Sequence, residues 1–95
     1  MSKILIIEDE FELREEVERI LTFEHFIVFT AANAFEGLEI LKTVKPDLIL
    51  CDILMPGMSG FDFFKELKKN PDLSQIQFIF ITALDDRTHL RKGME

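Results

Sequence analysis

The feature that most restricts the fold of this chain is an alternation between short apolar runs and amphipathic stretches. Residues 4–7 form a continuous apolar run rich in β-branched side chains, which is typical of a parallel strand buried on both faces. The stretch that follows has apolar residues at helical spacing among charged ones, which predicts an amphipathic helix. Its apolar face is formed by Leu13, Val17, Ile20 and Leu21.

The same alternation continues along the rest of the chain. Further strands are predicted at residues 26–30, 48–51 and 77–81. The second helix is predicted to start after the capping residue Asn33 and to end at Pro46-Asp47, and the third to end near Asn70-Pro71. Their packing residues are Ala34, Leu38, Leu41 and Val44 in the second helix, and Phe61, Phe64 and Leu67 in the third. A fourth helix is predicted to start at Asp85-Asp86.

This order of elements predicts an α/β fold, with a parallel sheet, helices on both faces and right-handed crossovers. A length of 95 residues suits one domain rather than two, so we expect residues 1–95 to form a single domain. Hydrophobic residues make up 47% of the chain, which is enough to build a core.

Charge and composition exclude several classes of function. The formal net charge of -7 argues against binding to nucleic acid, which needs clustered Lys and Arg. A lone cysteine, Cys51, rules out an internal disulfide framework and is expected to be a small buried residue. The start of the chain does not resemble a signal peptide, and no apolar run reaches the roughly 20 residues that span a bilayer. We therefore expect a cytoplasmic protein that does not enter a membrane.

Acidic and hydroxyl residues follow the predicted strands. Glu8 and Asp9 follow the first strand, Asp52 follows the third, and Thr82 follows the fourth. The carboxyl ends of parallel strands share one edge of the sheet, and ligands bind there where the strand order reverses. In a flavodoxin-like order the first and third strands are neighbours at that point. Glu8, Asp9 and Asp52 are therefore expected to converge.

Three neighbouring carboxylates repel one another unless a cation neutralises them. Mg²⁺ suits such a site, because it binds one or two carboxylates together with waters and phosphate oxygens. A carboxylate can also act as the nucleophile that forms an aspartyl phosphate, which gives Asp52 a chemical role. The Thr82 hydroxyl would then donate a hydrogen bond to a phosphoryl oxygen.

Each of these residues also has a structural interpretation. An acid after a strand, such as Asp9, is often a helix cap or a solvated loop residue. Thr82 at a strand end is common without any functional role. Asp52 is the hardest to explain structurally, because it directly follows an apolar strand, where an unpaired charge is costly.

Three segments resemble the signature segments of response-regulator receiver domains: ILIIEDE at residues 4–10, PDLILCDILMPGMSG at residues 46–60, and FIFITA at residues 78–83. The resemblance implies a flavodoxin-like receiver fold with strand order 2-1-3-4. It implies that Asp52 is the phosphoacceptor, with Thr82 as the switch hydroxyl and the Ala83 amide as a phosphoryl contact. Mg²⁺ would be held by Asp9, Asp52 and the backbone carbonyl of Leu54, with Glu8 acting through water.

Receiver domains continue to a fifth strand and helix, and the fifth strand carries a Lys that pairs with the phosphoryl group. This chain stops at Glu95, so we expect a receiver fold that lacks strand five, helix five and that Lys. A missing cation beside a phosphoryl group should cost several kcal/mol of electrostatic stabilisation. Strand four would become an apolar sheet edge, and self-association through that edge is a hypothesis.

The leading hypothesis is a two-component phosphoacceptor module that takes a phosphoryl group from a histidine kinase or phosphotransfer protein. Its catalysis would be limited to self-phosphorylation and autodephosphorylation. The main alternative is a receiver-fold binding or assembly module that does not switch by phosphorylation. A phosphohydrolase resembling the haloacid-dehalogenase family is disfavoured, because its Asp-x-Asp motif follows the first strand. A flavodoxin-type cofactor binder is disfavoured because the first loop lacks a phosphate cradle.

Overall fold

A computed structural model of the chain describes residues 2–81, in which four strands alternate with three helices. The strands are β1 (Lys3–Ile7), β2 (Ile27–Ala31), β3 (Leu48–Asp52) and β4 (Gln77–Ile81). The helices are α1 (Phe11–Phe23), α2 (Ala34–Leu41) and α3 (Gly60–Lys68). The predicted fourth helix, starting at Asp85-Asp86, lies outside the described residues.

The four strands form one parallel sheet in the order β2-β1-β3-β4, which confirms the predicted order. Ile7, the last residue of β1, lies opposite both Ala31 of β2 and Cys51 of β3. This register brings the carboxyl ends of β1 and β3 to the same level. The residues that follow Ile7 and Cys51 therefore lie next to each other at one edge of the sheet.

The main core lies between the sheet and the helices α2 and α3. Alternate strand residues point into it, as the two-residue period of a strand requires. Phe63 of α3 is completely buried there, and Leu67 is buried as predicted. The prediction that Phe61 packs into the core is wrong, because its side chain is 51% exposed. Phe64 packs edge-on against Phe78 of β4, with ring centroids 5.0 Å apart. Buried residues of the core are Leu5, Ile7, Ala31, Ala34, Leu41, Ile49, Cys51, Met55, Phe63 and Leu67.

Helix α1 contributes nothing to that core. The step from β1 to β2 runs in the opposite direction from the steps to β3 and β4, so right-handed crossovers place α1 on the other face of the sheet. None of its residues is fully buried within the described part of the chain. Ile20, predicted on its packing face, is 56% exposed, so the prediction is wrong at this position.

The helix boundaries differ from the sequence expectations at a few positions. Asn33 caps α2 as predicted, with its Oδ1 accepting a hydrogen bond from the Glu36 N–H at 2.9 Å. The prediction that Val44 belongs to α2 is wrong, because the helix ends at Leu41. The N–H groups of Lys42 and Thr43 bond three residues back, which tightens the last turn ahead of Pro46.

Helix α1 ends in a left-handed turn at His25, which has a φ of 73°. The His25 N–H donates to the Thr22 carbonyl and the Phe26 N–H donates to the Leu21 carbonyl, which is the Schellman pattern of a helix end. Glycine normally occupies this position, since a side chain in the left-handed region is strained. Separately, no helix within residues 2–81 combines the length and apolar character that crossing a bilayer requires.

Candidate functional site

Three carboxylates meet at the carboxyl edge of the sheet. Glu8 and Asp9 directly follow β1, and Asp52 is the last residue of β3. One carboxylate oxygen from each lies within 4.8 Å of one from each of the others. The predicted convergence of these side chains is therefore confirmed, and its cause is the β1–β3 register described above.

The three acids differ sharply in their exposure to solvent. Glu8 is 1% exposed and Asp52 is 6% exposed, whereas Asp9 is open to solvent. Glu8 is buried because it continues β1 into the space beside β2, where its N–H donates to the Ala31 carbonyl at 3.1 Å. The cluster therefore has a buried floor formed by Glu8 and Asp52, and an accessible carboxylate at Asp9.

Glu8 has one satisfied and one unsatisfied carboxylate oxygen. Its Oε2 accepts a hydrogen bond from the Glu10 N–H at 2.9 Å. Its Oε1 is buried without a hydrogen-bond partner. A buried oxygen of this kind costs free energy unless a proton, a water or a cation satisfies it. The donor set thus fits a hard cation, which prefers oxygen ligands.

Burial and crowding make the buried acids hard to ionise. Burial raises the pKa of Glu8 from 4.5 to about 7, and the neighbouring charges of Asp52 and Asp9 add to the effect. Burial also raises the pKa of Asp52, as does the charge of Asp9, while hydrogen bonds from the backbone of Leu54 and Ile53 lower it. A positive charge placed among these groups would favour the ionised form of both.

The loop after β3 is closed against Asp52 by a glycine. The Gly60 N–H donates to the Ile53 carbonyl at 2.8 Å, and a Cβ at residue 60 would lie 2.2 Å from the Asp52 carbonyl oxygen. Only glycine permits so close an approach of two backbone segments. Ser59 caps the helix that starts here, with its Oγ accepting from the Asp62 N–H at 3.1 Å. The close approach of Gly60 places the start of α3 directly against the Asp52 backbone.

Leu54 lies in the same loop, two residues after Asp52, and its side chain is 66% exposed. Its side chain points away from the core. Its backbone lies beside the Asp52 carboxylate. The predicted site residues Thr82 and Ala83 lie outside the described residues. Within the described chain β4 ends at Ile81, which is the register partner of Asp52.

Cys51 is buried, as predicted, and it lies beside the acids. Burial, followed by the charges of Asp52 and Glu8, raises the pKa of its thiol to about 12. One contact of the site was not predicted from the sequence. Arg14 donates a hydrogen bond from Nη1 to the Glu8 carbonyl at 2.8 Å. The sequence placed Arg14 among the charged residues of an amphipathic helix. Its contact with Glu8 depends on the angle at which α1 leaves β1.

Comparison with known proteins agrees with this geometry. The sequence matches the family described as response regulator receiver domain over residues 4–95. It is 34% identical over 95 residues to the transcriptional regulatory protein AfsQ1 of Streptomyces coelicolor, covering all of this chain and 41% of AfsQ1. It is 36% identical over 94 residues to the response regulator PleD of Caulobacter vibrioides, covering 99% of this chain and 21% of PleD.

A solved structure shares the fold as well. The N-terminal domain of a response regulator receiver protein from Methanoculleus marisnigri superimposes with a TM-score of 0.84 and 29% identity, covering 87% of this chain and 68% of that one. The chain belongs to the response-regulator receiver family of two-component signalling, with a flavodoxin-like fold. It spans less than half the length of the two curated relatives named above.

Proposed function

We propose that the chain is a phosphoacceptor module that takes a phosphoryl group onto Asp52 from a phosphohistidine of a histidine kinase or phosphotransfer protein. The observation that carries the proposal is the cluster of Glu8, Asp9 and Asp52, with carboxylate oxygens within 4.8 Å of one another at the ligand-binding edge of a parallel sheet. Family membership supports the same role.

The chemistry assigned to Asp52 is nucleophilic. A carboxylate oxygen of Asp52 attacks the phosphorus, the P–N bond to the donor imidazole breaks, and its electron pair returns to the imidazole nitrogen. The product is an acyl phosphate on Asp52. Hydrolysis by water at phosphorus then breaks the P–O bond and restores the carboxylate. The backbone of Leu54 and Ile53 lies beside the Asp52 carboxylate and lowers its pKa, which favours the ionised form that attacks.

The residues present fit Mg²⁺. Asp9 and Asp52 would bind it through their carboxylates and Leu54 through its backbone carbonyl, while Glu8 would act through a water. The unpartnered Oε1 of Glu8 supports this assignment, since it is a buried acceptor without a hydrogen-bond donor. When bound, the ion would neutralise charge on the acids and on the incoming phosphoryl oxygens.

The remaining roles follow from the family resemblance. Thr82 would donate its hydroxyl to a phosphoryl oxygen and Ala83 its backbone N–H. The module would act in the cytoplasm, with a histidine kinase or phosphotransfer protein as its partner and without contact to nucleic acid. Its own catalysis would be confined to accepting the phosphoryl group and to releasing it to water.

The test is the intact mass of the chain after incubation with acetyl phosphate, with and without Mg²⁺. We expect a mass increase of one phosphoryl group that needs Mg²⁺ and that hydroxylamine removes, as it does from acyl phosphates. Asp52→Asn should abolish the adduct. Asp62→Asn, on the exposed first turn of α3, makes the same chemical change away from the cluster and should leave the adduct in place.

Circular dichroism on the same samples shows whether each chain is folded. A folded chain that gains no adduct in the presence of Mg²⁺ would refute the phosphoacceptor role. An adduct that persists in folded Asp52→Asn would refute the assignment of the acceptor residue.

A second candidate function is assembly through the edge of β4. Among residues 2–81, β4 pairs only with β3, and its sequence from Gln77 to Ile81 contains no charged residue. Ile79, at its centre, is 49% exposed. Natural sheet edges usually carry charges or proline that prevent pairing, and this strand has neither. If two copies met at this edge, related by a two-fold axis through Ile79, their β4 strands would pair and the two sheets would become one continuous sheet.

Sedimentation across a range of concentrations tests this assembly. We expect the chain to associate and Ile79→Lys to abolish the association, because a lysine at the two-fold axis would face its own copy. Gln77→Lys, at the exposed start of the strand, keeps the charge change away from that axis and should weaken the association less. A chain that stays monomeric at high concentration would refute the assembly function.

A further inference from the structure

We propose that Arg14 is a positioning residue that fixes the backbone of the acidic turn, residues 8–10, in the geometry that binds a cation. The inference rests on the proposed cation site. It concerns a side chain that does not contact the cation and that acts through Glu8.

The contacts of Arg14 join the end of β1 to the start of α1. Its Nη1 donates to the Glu8 carbonyl oxygen at 2.8 Å, and its guanidinium carbon lies 5.4 Å from the centre of the Phe11 ring. Arg14 is half-buried, and its backbone N–H donates to the Glu10 carbonyl as the first bond of the helix. The guanidinium therefore contacts both the Glu8 carbonyl and the face of the Phe11 ring.

Helix α1 starts differently from α2 and α3. Asn33 and Ser59 each accept a hydrogen bond from a backbone N–H in the first turn of their helices. Glu10, at the start of α1, makes no side-chain cap bond. Instead, the Glu10 N–H donates to Glu8 Oε2, so a residue of the acidic cluster accepts the backbone donor at the start of this helix.

Glu8 is consequently held at three points. Its N–H bonds to the Ala31 carbonyl in β2, its Oε2 accepts from Glu10, and its carbonyl accepts from Arg14. Of these three bonds, the one from Arg14 is made by a side chain outside the turn. With it in place, one carboxylate oxygen of Glu8 and one of Asp9 lie within 4.8 Å of a carboxylate oxygen of Asp52. Loss of the Arg14 bond would free the peptide between Glu8 and Asp9 to rotate and would disperse these oxygens.

Charge and position predict opposite effects of removing Arg14. Removing a positive charge near three carboxylates should strengthen the binding of a cation, because the site becomes more negative. Removing a bond that orients ligands should weaken the binding, by about 10-fold to 100-fold when an outer residue of a metal site is lost. The sign of the change therefore distinguishes the two roles.

The experiment compares the full chain with Arg14→Met, Arg14→Lys and Arg19→Met. Arg19→Met is the matched control, since Arg19 lies on the same helix, is exposed, and loses the same charge. Each ¹⁵N-labelled chain is titrated with MgCl₂ at constant ionic strength, and the amide resonances of residues 8–10 and 52–54 report the binding. We expect Arg14→Met to bind Mg²⁺ about 10-fold more weakly than the parent chain. Arg19→Met should bind within about twofold of the parent or more tightly.

Arg14→Lys retains the charge and one donor and should recover much of the lost affinity. If Arg14→Met binds Mg²⁺ as tightly as Arg19→Met, or if Arg14→Lys behaves like Arg14→Met, the positioning role is overturned.

A metal-free measurement separates this inference from the proposed function. In the absence of Mg²⁺, the amide resonances of residues 8–10 should move in Arg14→Met and stay in place in Arg19→Met. Unchanged resonances would overturn the positioning role even in a chain that binds Mg²⁺. A parent chain without any saturable response to Mg²⁺ would instead refute the cation site. If Arg14→Met fails to fold, Arg14→Lys takes its place in this metal-free comparison. The amide resonances of residues 8–10 should then move less than expected for Arg14→Met, and the changes should be confined to those residues.

Discussion

Replacing Glu8 with glutamine should remove a pH-dependent loss of stability from the metal-free chain. Glu8 is 1% exposed, and its pKa in the folded chain is about 7 against an ordinary value of 4.5. Each tenfold difference in proton affinity between the folded and unfolded states corresponds to about 1.4 kcal/mol. The full pH-dependent loss in the free energy of unfolding is therefore about 3 kcal/mol. Glutamine is the substitution of choice because it has nearly the same shape as glutamate without the ionisable group.

The sign follows from which state binds the proton more tightly. Between pH 4.5 and pH 7 the folded chain holds the Glu8 proton while the unfolded chain has released it. Stability therefore falls as the pH rises through this window, and the penalty is complete above the folded pKa. Across the experimentally convenient interval from pH 6 to pH 8.5, about 1.4 kcal/mol of the effect should appear.

The assay is urea unfolding of the metal-free chain at pH 6 and pH 8.5, followed by circular dichroism in the presence of a chelator. A chain of this size should unfold with a slope near 1 kcal/mol per M of urea, so the midpoint should fall by about 1.4 M at the higher pH. Glu8→Gln should lose most of that fall. Glu16→Gln, exposed on α1, makes the same change of charge and should retain it.

The comparison uses the difference between two pH values, so the cost of burying the glutamine amide cancels. Contributions from His25 and His89 cancel for the same reason, because both variants retain them. If Glu8→Gln and the parent chain show the same fall in midpoint, Glu8 is not the group that couples stability to pH, and the reasoning from burial is refuted.

Three further substitutions and one reactivity measurement test the fold around the site. Gly60→Ala should cost about 3 kcal/mol or more in urea unfolding, because its Cβ would lie 2.2 Å from the Asp52 carbonyl oxygen; a loss under 1 kcal/mol would contradict that close approach. Phe63→Ala should cost about 3–5 kcal/mol, since it empties a fully buried site, and a smaller loss would mean that the core collapses around it. His25→Gly should raise stability by about 0.5–1 kcal/mol by relieving a φ of 73°, whereas a loss would show that the histidine side chain makes a stabilising contact. Cys51, with its pKa near 12 and its thiol buried, should react with Ellman's reagent at pH 8 only as fast as the chain unfolds; faster reaction in native conditions would show local opening of β3.

The elements and the acidic cluster could be predicted because both depend on local pattern and on one general rule of topology. Apolar runs such as residues 4–7 specify buried strands without reference to the rest of the chain. Once the strands are parallel and β1 adjoins β3, acids that follow these strands must lie at the same edge. The positions of Glu8, Asp9 and Asp52 then follow without knowledge of side-chain packing.

What the sequence did not predict depends on tertiary contacts. Periodicity placed Ile20 on a packing face, but it cannot show how much of that face is covered. Val44 continues the apolar period of α2, yet the helix ends before it, because the last turn tightens ahead of Pro46. The bond from Arg14 to the Glu8 carbonyl depends on the angle at which α1 leaves β1, and no spacing in the sequence encodes that angle.

The contrast between Glu8 and Asp9 shows why position within the strand register matters more than residue type. The two acids are adjacent in sequence, but Glu8 still follows the path of β1 and is buried, whereas Asp9 has turned out toward solvent. Burial makes Glu8 retain a proton near neutral pH, so a cation entering the cluster would have to compete with that proton. Asp9 is exposed to solvent, so an entering cation would reach its carboxylate first. One residue of difference in position therefore makes one acid accessible to solvent and buries the other, so that only the buried acid has a pKa raised by burial.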